Sequence, residues 1–299
     1  MRAIQEFPIS YIEPVFRPPS EAHSLILPVT NGCSWNKCTF CEMYTAEQKK
    51  FRARDEQEVL EEIRRSGEQL IVQRVFLADG DAMILPTRRL LTILQAIREH
   101  MPTVERVTSY CLPRNLKRKS VDELKELREA GLAMLYVGAE SGDDEVLRRV
   151  NKGETFDSTA DALLKSKEAG LQRSVMILNG LGGSELSEQH ASNSARLMNL
   201  TQPEFVSTLV VSFPQGMQRF RESYPNFQPL EQSELFKELE LFLQQLQLDN
   251  SVFRSDHASN ALVLKGVLGA DKERMLAQVR NAISQPERAA LRPKWMRGL

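Results

Sequence analysis

The sequence predicts an α/β fold built on a parallel β-sheet. Short apolar runs of strand length alternate with longer amphipathic segments, and this alternation repeats six times between residues 24 and 248. Parallel strands need crossover helices, so a repeated strand–helix unit indicates a parallel sheet. The chain has 299 residues, enough for one large domain or two small ones. Six units close part of a barrel or lie in an open sheet, and both arrangements place a site at the carboxyl ends of the strands.

The strands are predicted from apolar runs that are bounded by turn residues. The first run, SLILPVT at 24–30, leads directly into a cluster of cysteines. A short run follows at 75–78 (VFLA), and a longer one at 133–140 (AMLYVGAE). The other predicted strands lie at 104–110, 171–178 and 205–213.

The helices are predicted from a 3.6-residue apolar period and from capping residues. Residues 55–70 begin with Asp55 at the N-cap position, and an acidic residue follows three positions later in capping-box spacing. Residues 87–100 carry a leucine-rich stripe, and Ser120 caps a helix over 121–130. The other predicted helices lie at 143–150, 157–169, 185–200 and 231–248.

The segments outside the six units are predicted to be additions to the main domain. Residues 1–23 form an N-terminal segment that packs on this domain, where Arg17 closes an open bottom or side. Residues 249–299 form a small C-terminal extension with a short apolar stretch, ALVLKGVL, and a helix near 271–284. We therefore predict three parts, with residues 24–248 as the main domain.

Charge and hydropathy argue against two classes of protein. Basic and acidic residues nearly balance, at 39 and 40, whereas a protein that coats duplex nucleic acid usually has a basic excess. The overall charge balance does not exclude a local basic patch. There is no run of about 18 apolar residues, so no transmembrane helix is expected. Glu6 and Glu13 interrupt the N-terminal residues, which lack the apolar core of a signal peptide. We predict a cytoplasmic protein without a membrane partner.

Three of the four cysteines, Cys33, Cys38 and Cys41, fall within nine residues in a C-x4-C-x2-C spacing. A disulfide scaffold would need many more cysteines. Three thiolates on a tight loop can hold three irons of a [4Fe-4S] cluster and leave the fourth iron open to an external ligand. Structural zinc would need a fourth protein ligand, and the nearest histidine, His23, precedes the loop by ten residues. The spacing favours a cluster over zinc and over inert thiols.

The sequence resembles the radical S-adenosylmethionine (SAM) superfamily. The cysteine loop follows a first strand and has an aromatic residue, Phe40, before its last cysteine, although the commonest spacing in the superfamily is C-x3-C-x2-C. Three later segments are similar to superfamily motifs: FLADGDAM at 76–83, YVGAESGDDEVLRRVNKG at 136–153 and ILNGLGGSE at 177–185. The resemblance covers essentially the whole chain. It is greatest to short members without a cobalamin-binding domain, near the branch of oxygen-independent coproporphyrinogen oxidase and the methylthiotransferases.

The resemblance implies a partial (β/α)6 barrel of the TIM type and two cofactors, a [4Fe-4S] cluster and SAM. In the superfamily, the amino and carboxylate groups of SAM chelate the open iron. An electron from a reductant such as flavodoxin or ferredoxin then passes through the cluster and cleaves SAM. The resulting 5′-deoxyadenosyl radical abstracts hydrogen from the substrate. Because the net charge is close to neutral, we expect a small molecule rather than nucleic acid as the substrate.

The resemblance also assigns roles at the ends of the predicted strands. It makes three residues the cluster ligands, namely Cys33, Cys38 and Cys41. Asp79, Gly80 and Asp81 offer backbone carbonyls and a carboxylate to the SAM ammonium group, a charge-assisted contact. The same triplet also suits a plain strand–helix turn. Glu140 and Ser141 can bond the ribose hydroxyls, although the segment also suits a helix N-cap.

Four further residues complete the implied SAM site. Asn179 and Gly180 allow the backbone to approach the adenine, since glycine has no side chain, and the same stretch suits a tight turn. Arg173 can bind the SAM carboxylate if its side chain points into the barrel. Phe40 contacts the adenine or packs the cysteine loop.

Several residues outside the SAM motifs are candidates for other roles. Cys111 follows the third strand and is expected to be a buried thiol or a hydrogen-atom donor. His257 and Asn260 form a compact polar group that suits a substrate contact or a capping cluster. His190 is expected to be structural, and the basic tail around Trp295 suits nucleic acid or a solvated end. Three more candidates to meet the substrate are Tyr110, Arg114 and Asn115.

The cysteine count narrows the predicted chemistry. With three of four cysteines used, a second cluster with protein thiolates is excluded, which argues against a methylthiotransferase. We expect no cobalamin-binding extension, and therefore single-cluster chemistry such as decarboxylation, rearrangement, dehydrogenation or carbon–carbon bond formation. Two alternatives stay open at this stage: a zinc-stabilised module that binds RNA or protein, and a radical SAM enzyme that modifies tRNA.

Overall fold

The computed structural model describes residues 7–297. The β-strands are β1 (Leu25–Pro28), β2 (Thr30–Asn31), β3 (Arg52–Ala53), β4 (Arg74–Ala78), β5 (Arg106–Cys111), β6 (Leu132–Glu140), β7 (Gln172–Asn179), β8 (Phe205–Val210), β9 (Val252–Ser255) and β10 (Leu264–Val267). The α-helices are α1 (Glu56–Gln69), α2 (Thr87–His100), α3 (Pro113–Lys117), α4 (Val121–Glu129), α5 (Asp144–Arg149), α6 (Phe156–Glu168), α7 (Gly183–Thr201), α8 (Gln218–Ser223), α9 (Gln232–Gln245) and α10 (Leu268–Ser284). Residues 1–6 and 298–299, the outer ends of the predicted N-terminal segment and C-terminal extension, lie outside the described residues.

A mostly parallel sheet contains eight of these strands in the order β1-β4-β5-β6-β7-β8-β9-β10. β1 pairs in parallel with β4, and β7 pairs in parallel with β8. β9 joins β8 in parallel, and the antiparallel β10 forms the last edge. The spatial order follows the order in the sequence, as expected for repeated strand–helix crossovers. This confirms the predicted α/β class and the fold of a partial TIM-type barrel.

The described chain divides into two compact units. The first unit comprises residues 7–36, Met43–Tyr136 and Glu168–Gln172. The second unit comprises Lys37–Glu42, Val137–Lys167 and residues 173–297. The predicted division at residues 23 and 248 stays a prediction.

The core of the first unit is built around β4. Its residues 75–78 are fully buried, and α1 packs against α2 in the same unit. The N-terminal segment reaches the same unit through Glu21, whose buried carboxylate accepts hydrogen bonds from Arg106 Nη2 (2.7 Å) and Tyr136 Oη (2.6 Å). Arg17 donates to the Ser24 carbonyl at 3.3 Å, at the first residue after the segment. The segment is therefore tied to β5 and β6 by a buried charge.

The core of the second unit has an aromatic centre. α7 packs on α9, and α9 packs on α10. The rings of Phe220, Tyr224 and Phe227 are buried with centroid separations from 4.6 to 6.0 Å. Phe40, from the cysteine loop, packs against this cluster. The aromatic contacts thus secure the loop to the unit, which supports the packing role considered for Phe40.

Most elements agree with the sequence predictions, and the differences have local causes. The predicted helix at 87–100 is α2, and Asp55 caps α1 by accepting from the backbone of residues 57 and 58. The predicted first strand is shorter than expected, because the chain leaves β4 after Pro28 and pairs Thr30–Asn31 with β3. Strand β9 was not predicted, since the run at 252–255 is short and includes a charged residue.

Helix α4 offers a direct test of the capping prediction. The Ser120 hydroxyl accepts from Glu123 N, and the Glu123 carboxylate accepts from Ser120 N, so both parts of a capping box are present. Substituting Ser120→Ala removes an acceptor for a helix-terminal amide. We expect a loss of about 1 kcal/mol in the free energy of unfolding, measured with denaturant. Ser120→Asp keeps an acceptor and should remain close to wild type, and equal losses in both variants would contradict the capping role.

Candidate functional site

The start of the cysteine loop is held by the triplet after β4. Asp79 Oδ2 accepts from Gly32 N at 3.0 Å, and Gly80 N donates to the Gly32 carbonyl at 3.2 Å. The Ser34 hydroxyl donates to Asp81 Oδ2. All three contacts flank Cys33. The triplet therefore holds Gly32 and Ser34, the two neighbours of the first candidate ligand.

Asp79 lies in a buried ion pair. Its Oδ2 atom is 2.5 Å from Lys49 Nζ, and both side chains are almost fully buried. Burial raises the pKa of Asp79, and Lys49 and the Gly32 amide oppose this shift. Gly80 must be a glycine here, because a Cβ atom would lie 2.5 Å from the Tyr44 ring. The close packing therefore excludes a side chain at position 80.

Asp81 is fully buried and accepts from two side chains. Asn115 donates to Oδ1 and Ser34 donates to Oδ2. Burial raises the pKa of Asp81 to about 6, although both hydrogen bonds and the Arg114 charge act in the opposite direction. Arg114 in turn stacks on Trp35 of the cysteine loop, 3.8 Å from the ring centroid. Of the residues predicted at the mouth after β5, Arg114 thus contacts the loop itself, and Asn115 contacts Asp81.

The second half of the cysteine loop is held by a different set of contacts. Thr39 N donates to the Val150 carbonyl at 3.0 Å, and Cys41 N donates to the Cys38 carbonyl at 3.3 Å. Arg219 donates to the Cys41 carbonyl. Sequence patterns gave no indication of Arg219, because it lies outside every motif. The Cys33, Cys38 and Cys41 thiols are reduced and half-buried.

Glu140 ends β6 and forms a second buried ion pair. Its Oε1 atom is 3.1 Å from Lys152 Nζ, and both side chains are at least nine-tenths buried. Its Oε2 atom is also buried and has no hydrogen-bond partner within residues 7–297. Lys152 Nζ lies 6.0 Å from the centroid of the Phe40 ring. Lys152 lies in the segment at 136–153 that resembles a superfamily motif. The sequence pattern therefore contained this residue, although it was not predicted to belong to the site.

Ser141 is engaged in a buried chain of polar groups. Its hydroxyl lies 2.7 Å from His190 Nδ1 and accepts from Asp143 N at 3.0 Å. His190 Nε2 is 3.9 Å from Glu238 Oε1, which accepts from Gly180 N at 2.6 Å. Asp143 is the N-cap of α5. The chain therefore ties the end of β6 to the end of β7, and Glu238 is a residue that no motif indicated.

The turn after β7 is tight. Gly180 has a φ of 82°, in the left-handed region, and a Cβ atom there would lie 2.9 Å from Leu235 Cδ2. The Asn179 carbonyl accepts from Val211 N at 3.0 Å. The Asn179 side chain lines a cavity of about 40 Å³ next to α9. The left-handed φ and the contact with Leu235 fit the tight turn that the sequence also suggested, and the approach of this backbone to an adenine stays a prediction.

Arg173 requires a correction. It lies near the amino end of β7, and its side chain is fully buried. Nε and Nη2 donate to Glu204, and the other donors reach the carbonyls of residues 163, 201 and 202. All five N–H groups therefore donate hydrogen bonds to other groups of the protein. We leave Arg173 out of the proposed SAM site.

The remaining candidates are mostly satisfied within the fold. Cys111 is buried, with 2% of its surface exposed. Asn260 accepts from Val210 N and donates to the Thr208 carbonyl, and His257 Nδ1 contacts Ser259, which supports the capping interpretation. Trp295 is 82% exposed.

Two features are absent from the described residues. Within residues 7–297, no helix is both long and apolar enough to cross a bilayer. In the same residues, no three His, Cys, Asp or Glu side chains are gathered into a preformed metal site. The candidate ligands are therefore identified by their chemistry: three reduced thiols in one short loop suit an iron–sulfur cluster.

The fold and the cysteine loop together define a radical SAM protein. The family model of the Radical SAM superfamily matches residues 27–197, which is more than half of the chain. This protein belongs to that superfamily, whose members generally use a [4Fe-4S] cluster and SAM. The family match confirms the resemblance seen in the sequence.

Individual relatives are distant. The chain is 25% identical over 148 residues to a provisional methylthiotransferase of Methanocaldococcus jannaschii, covering 47% of this chain and 32% of that protein. It is 23% identical over 142 residues to the heme chaperone HemW of Bacillus subtilis, covering 47% and 37%. The matches thus span about a third of these relatives. The fold is similar to that of coproporphyrinogen III oxidase (HemN) from Escherichia coli, with a TM-score of 0.55, 16% identity and coverage of 90% and 70%.

Asp81 should make the stability of the cluster-free protein depend on pH. Its pKa is about 6 in the folded state and near the ordinary value of 3.8 when unfolded. Between these values the folded state keeps a proton that the unfolded state releases. The free energy of unfolding should therefore fall as pH rises from about 4 to 6, by up to ~3 kcal/mol relative to Asp81→Asn.

The control for this titration is Asp122→Asn, because the Asp122 side chain is 88% exposed. Denaturant curves for this variant should follow wild type at every pH. If the difference between wild type and Asp81→Asn did not change between pH 4 and 7, the raised pKa would be disproved.

Proposed function

We propose that this protein is an enzyme that uses one [4Fe-4S] cluster to cleave SAM reductively and abstract hydrogen from a small-molecule substrate. The cysteine loop carries the proposal, because Cys33, Cys38 and Cys41 are reduced thiols within the region of the family match. Three thiolates suit a cluster with one open iron and fall one short of structural zinc. When bound, the cluster and SAM supply the hydrogen-abstracting chemistry.

The first unit contributes the placement of Cys33 and polar groups for SAM. Asp79 and Asp81 are fixed by Lys49, Ser34 and the loop backbone. We propose that the carbonyls of the triplet and the Asp79 carboxylate receive the SAM ammonium group. The Gly80 position keeps the backbone close to Tyr44, so that this edge stays rigid.

The second unit contributes the placement of the other two thiols and the nucleoside contacts. We propose that the Glu140 carboxylate accepts from the ribose hydroxyls, since one of its oxygens has no partner in residues 7–297. The Ser141 hydroxyl, which is engaged with His190, positions this strand end. The backbone at Asn179 and Gly180 lies beside the adenine, and Phe40 packs the loop next to it.

The substrate class and partners are part of the proposal. A formal net charge of −1 and a mostly buried polar site favour a small molecule over nucleic acid. A low-potential reductant of the flavodoxin or ferredoxin type would deliver the electron. The fourth cysteine, Cys111, is the buried last residue of β5, so the described residues offer thiols for a single cluster.

The experiment is anaerobic reconstitution followed by iron, sulfide and zinc analysis. We expect about four irons per chain in wild type. Cys41→Ala should lose most of the iron, because two thiolates hold a cluster poorly. Cys111→Ala is the matched control and should keep wild-type iron. Reduced wild type should convert SAM to 5′-deoxyadenosine, and Cys41→Ala should not.

Other outcomes would reject the proposal. Tight binding of one zinc, in place of iron, would favour a binding module. Equal iron loss in both cysteine variants would show that the loop has no special role in holding metal.

A further inference from the structure

A small cavity lies at the carboxyl ends of three neighbouring strands of the second unit. Asn179 ends β7, Val210 ends β8 and Ser255 ends β9, and all three residues line the cavity, whose volume is about 40 Å³. Gln232, at the start of α9, and Arg297 line it as well. A volume of this size holds about three groups as large as a water molecule. The cavity therefore suits a ligand group with three heavy atoms.

The cavity and the cysteine loop lie on opposite faces of these strands. Successive side chains of a strand point to opposite faces of the sheet. Leu178 belongs to the aromatic core of the second unit, and Phe40 and Leu209 pack against the same core. Asn179 and Val210 follow the two leucines in sequence, so their side chains point to the other face. The cavity is thus distinct from the face on which Phe40 packs.

Two side chains of the lining offer hydrogen-bond donors that the described chain leaves unused. Asn179 is only 6% exposed, and none of residues 7–297 forms a hydrogen bond with its side-chain amide. Arg297 Nε is also buried without a partner in the same residues. Burying a polar group without a partner costs free energy. An occupant of the cavity that accepts from both donors would remove this cost.

The lining carries one positive charge, and none of the described residues that form it is acidic. Arg297 Nη1 donates to Gln232 Oε1 at 3.2 Å, which leaves the Nε–Nη2 edge of the guanidinium and the amide nitrogen of Gln232 as donors. The Glu234 carboxylate, one turn of α9 away, accepts from the Glu231 amide at 2.7 Å. Two adjacent N–H groups of one guanidinium match the two oxygens of a carboxylate.

Arg297 is held beside the cavity by the segment that follows α10. Leu291 pairs with Leu262 in an antiparallel bridge, and Arg292 N donates to the Ala261 carbonyl at 2.7 Å. Both Leu262 and Ala261 line the cavity. The segment is therefore bound to the wall of the cavity, and the contact between Arg297 and Gln232 is made without a ligand.

We propose that this cavity binds the carboxylate group of a small molecule, with donors from Arg297, Asn179 and Gln232. The bound carboxylate links the segment after α10 to the end of β7. This site is independent of the proposed function, because it lies on the other face of the strands. Ordered water is the competing occupant, since it satisfies the same donors and is not selected by charge.

The test compares acetate with acetamide, which has nearly the same shape and no charge. Cluster-loaded protein is titrated with each compound by calorimetry at constant ionic strength, and inorganic phosphate is titrated in parallel. Acetate should bind at one site with a dissociation constant of about 1 to 10 mM. Acetamide should bind at least about tenfold more weakly, because the contact with the guanidinium is charge-assisted. Phosphate, which is larger and tetrahedral, should bind more weakly than acetate.

Two variants and a matched control locate the site. Arg297→Met should weaken acetate binding at least about tenfold, because the cation is lost. Asn179→Asp has nearly the same shape, puts a negative charge into the cavity and should abolish measurable binding. Arg288→Met removes an exposed cation from the same segment and should bind acetate like wild type. Circular dichroism checks the folding of each variant, and Arg297→Met decides alone if Asn179→Asp is not recovered folded.

Several results would overturn the carboxylate site. The absence of saturable acetate binding would leave the cavity to water, and equal binding of acetate and acetamide would show no selection for charge. Tighter binding of phosphate than of acetate would reject a carboxylate ligand. Equal acetate binding by wild type and Arg297→Met would mean an adventitious ion only, bound elsewhere. A protein that binds acetate as expected and does not cleave SAM would reject the proposed function alone.

Discussion

The cysteine loop depends on hydrogen bonds to its own backbone. A loop that offers three thiolates cannot use those side chains to secure itself, so other groups must fix its path. In the first unit, the Asp79 carboxylate and the Gly80 amide hold both polar groups of Gly32. In the second unit, Val150 and Arg219 hold the backbone of the other half. The loop is therefore bound by hydrogen bonds at both of its ends.

Buried charge is concentrated where these contacts are made. Lys49 pairs with Asp79, and Lys152 pairs with Glu140, each almost without exposure to solvent. Buried pairs of this kind contribute little to stability, because desolvation offsets most of the attraction. Apolar residues of similar volume would serve a purely structural role as well. We infer that the pairs are placed for binding, since a ligand with ammonium and hydroxyl groups needs fixed acceptors.

The sequence predicted the architecture well, because each strand–helix unit has a local signature. Periodicity located α2 to the residue, and the Ser120 capping box follows from its spacing alone. The roles at the site were harder to predict. Whether the Arg173 side chain points toward a ligand or forms hydrogen bonds within the protein depends on Glu204 and on three distant carbonyls. No local sequence pattern encodes these partners. Arg219 and Glu238 reach the site from elements that carry no motif, so only the tertiary structure reveals them.

The hydrogen-bonding state of the buried pairs separates structural from functional charges. The Arg173 guanidinium uses all five of its donors on the fold, and both Glu21 oxygens accept from side chains. The donors of Arg173 and the acceptors of Glu21 are therefore satisfied without a ligand. Glu140 differs, because Lys152 satisfies one oxygen and residues 7–297 leave the other without a donor. A buried acceptor without a donor destabilises the folded chain, and a ligand that supplies the missing hydroxyl recovers that free energy as binding affinity. Asp79 Oδ1, in the buried pair beside Cys33, is likewise buried without a hydrogen-bond partner in residues 7–297, so each of these two pairs retains an acceptor for a ligand.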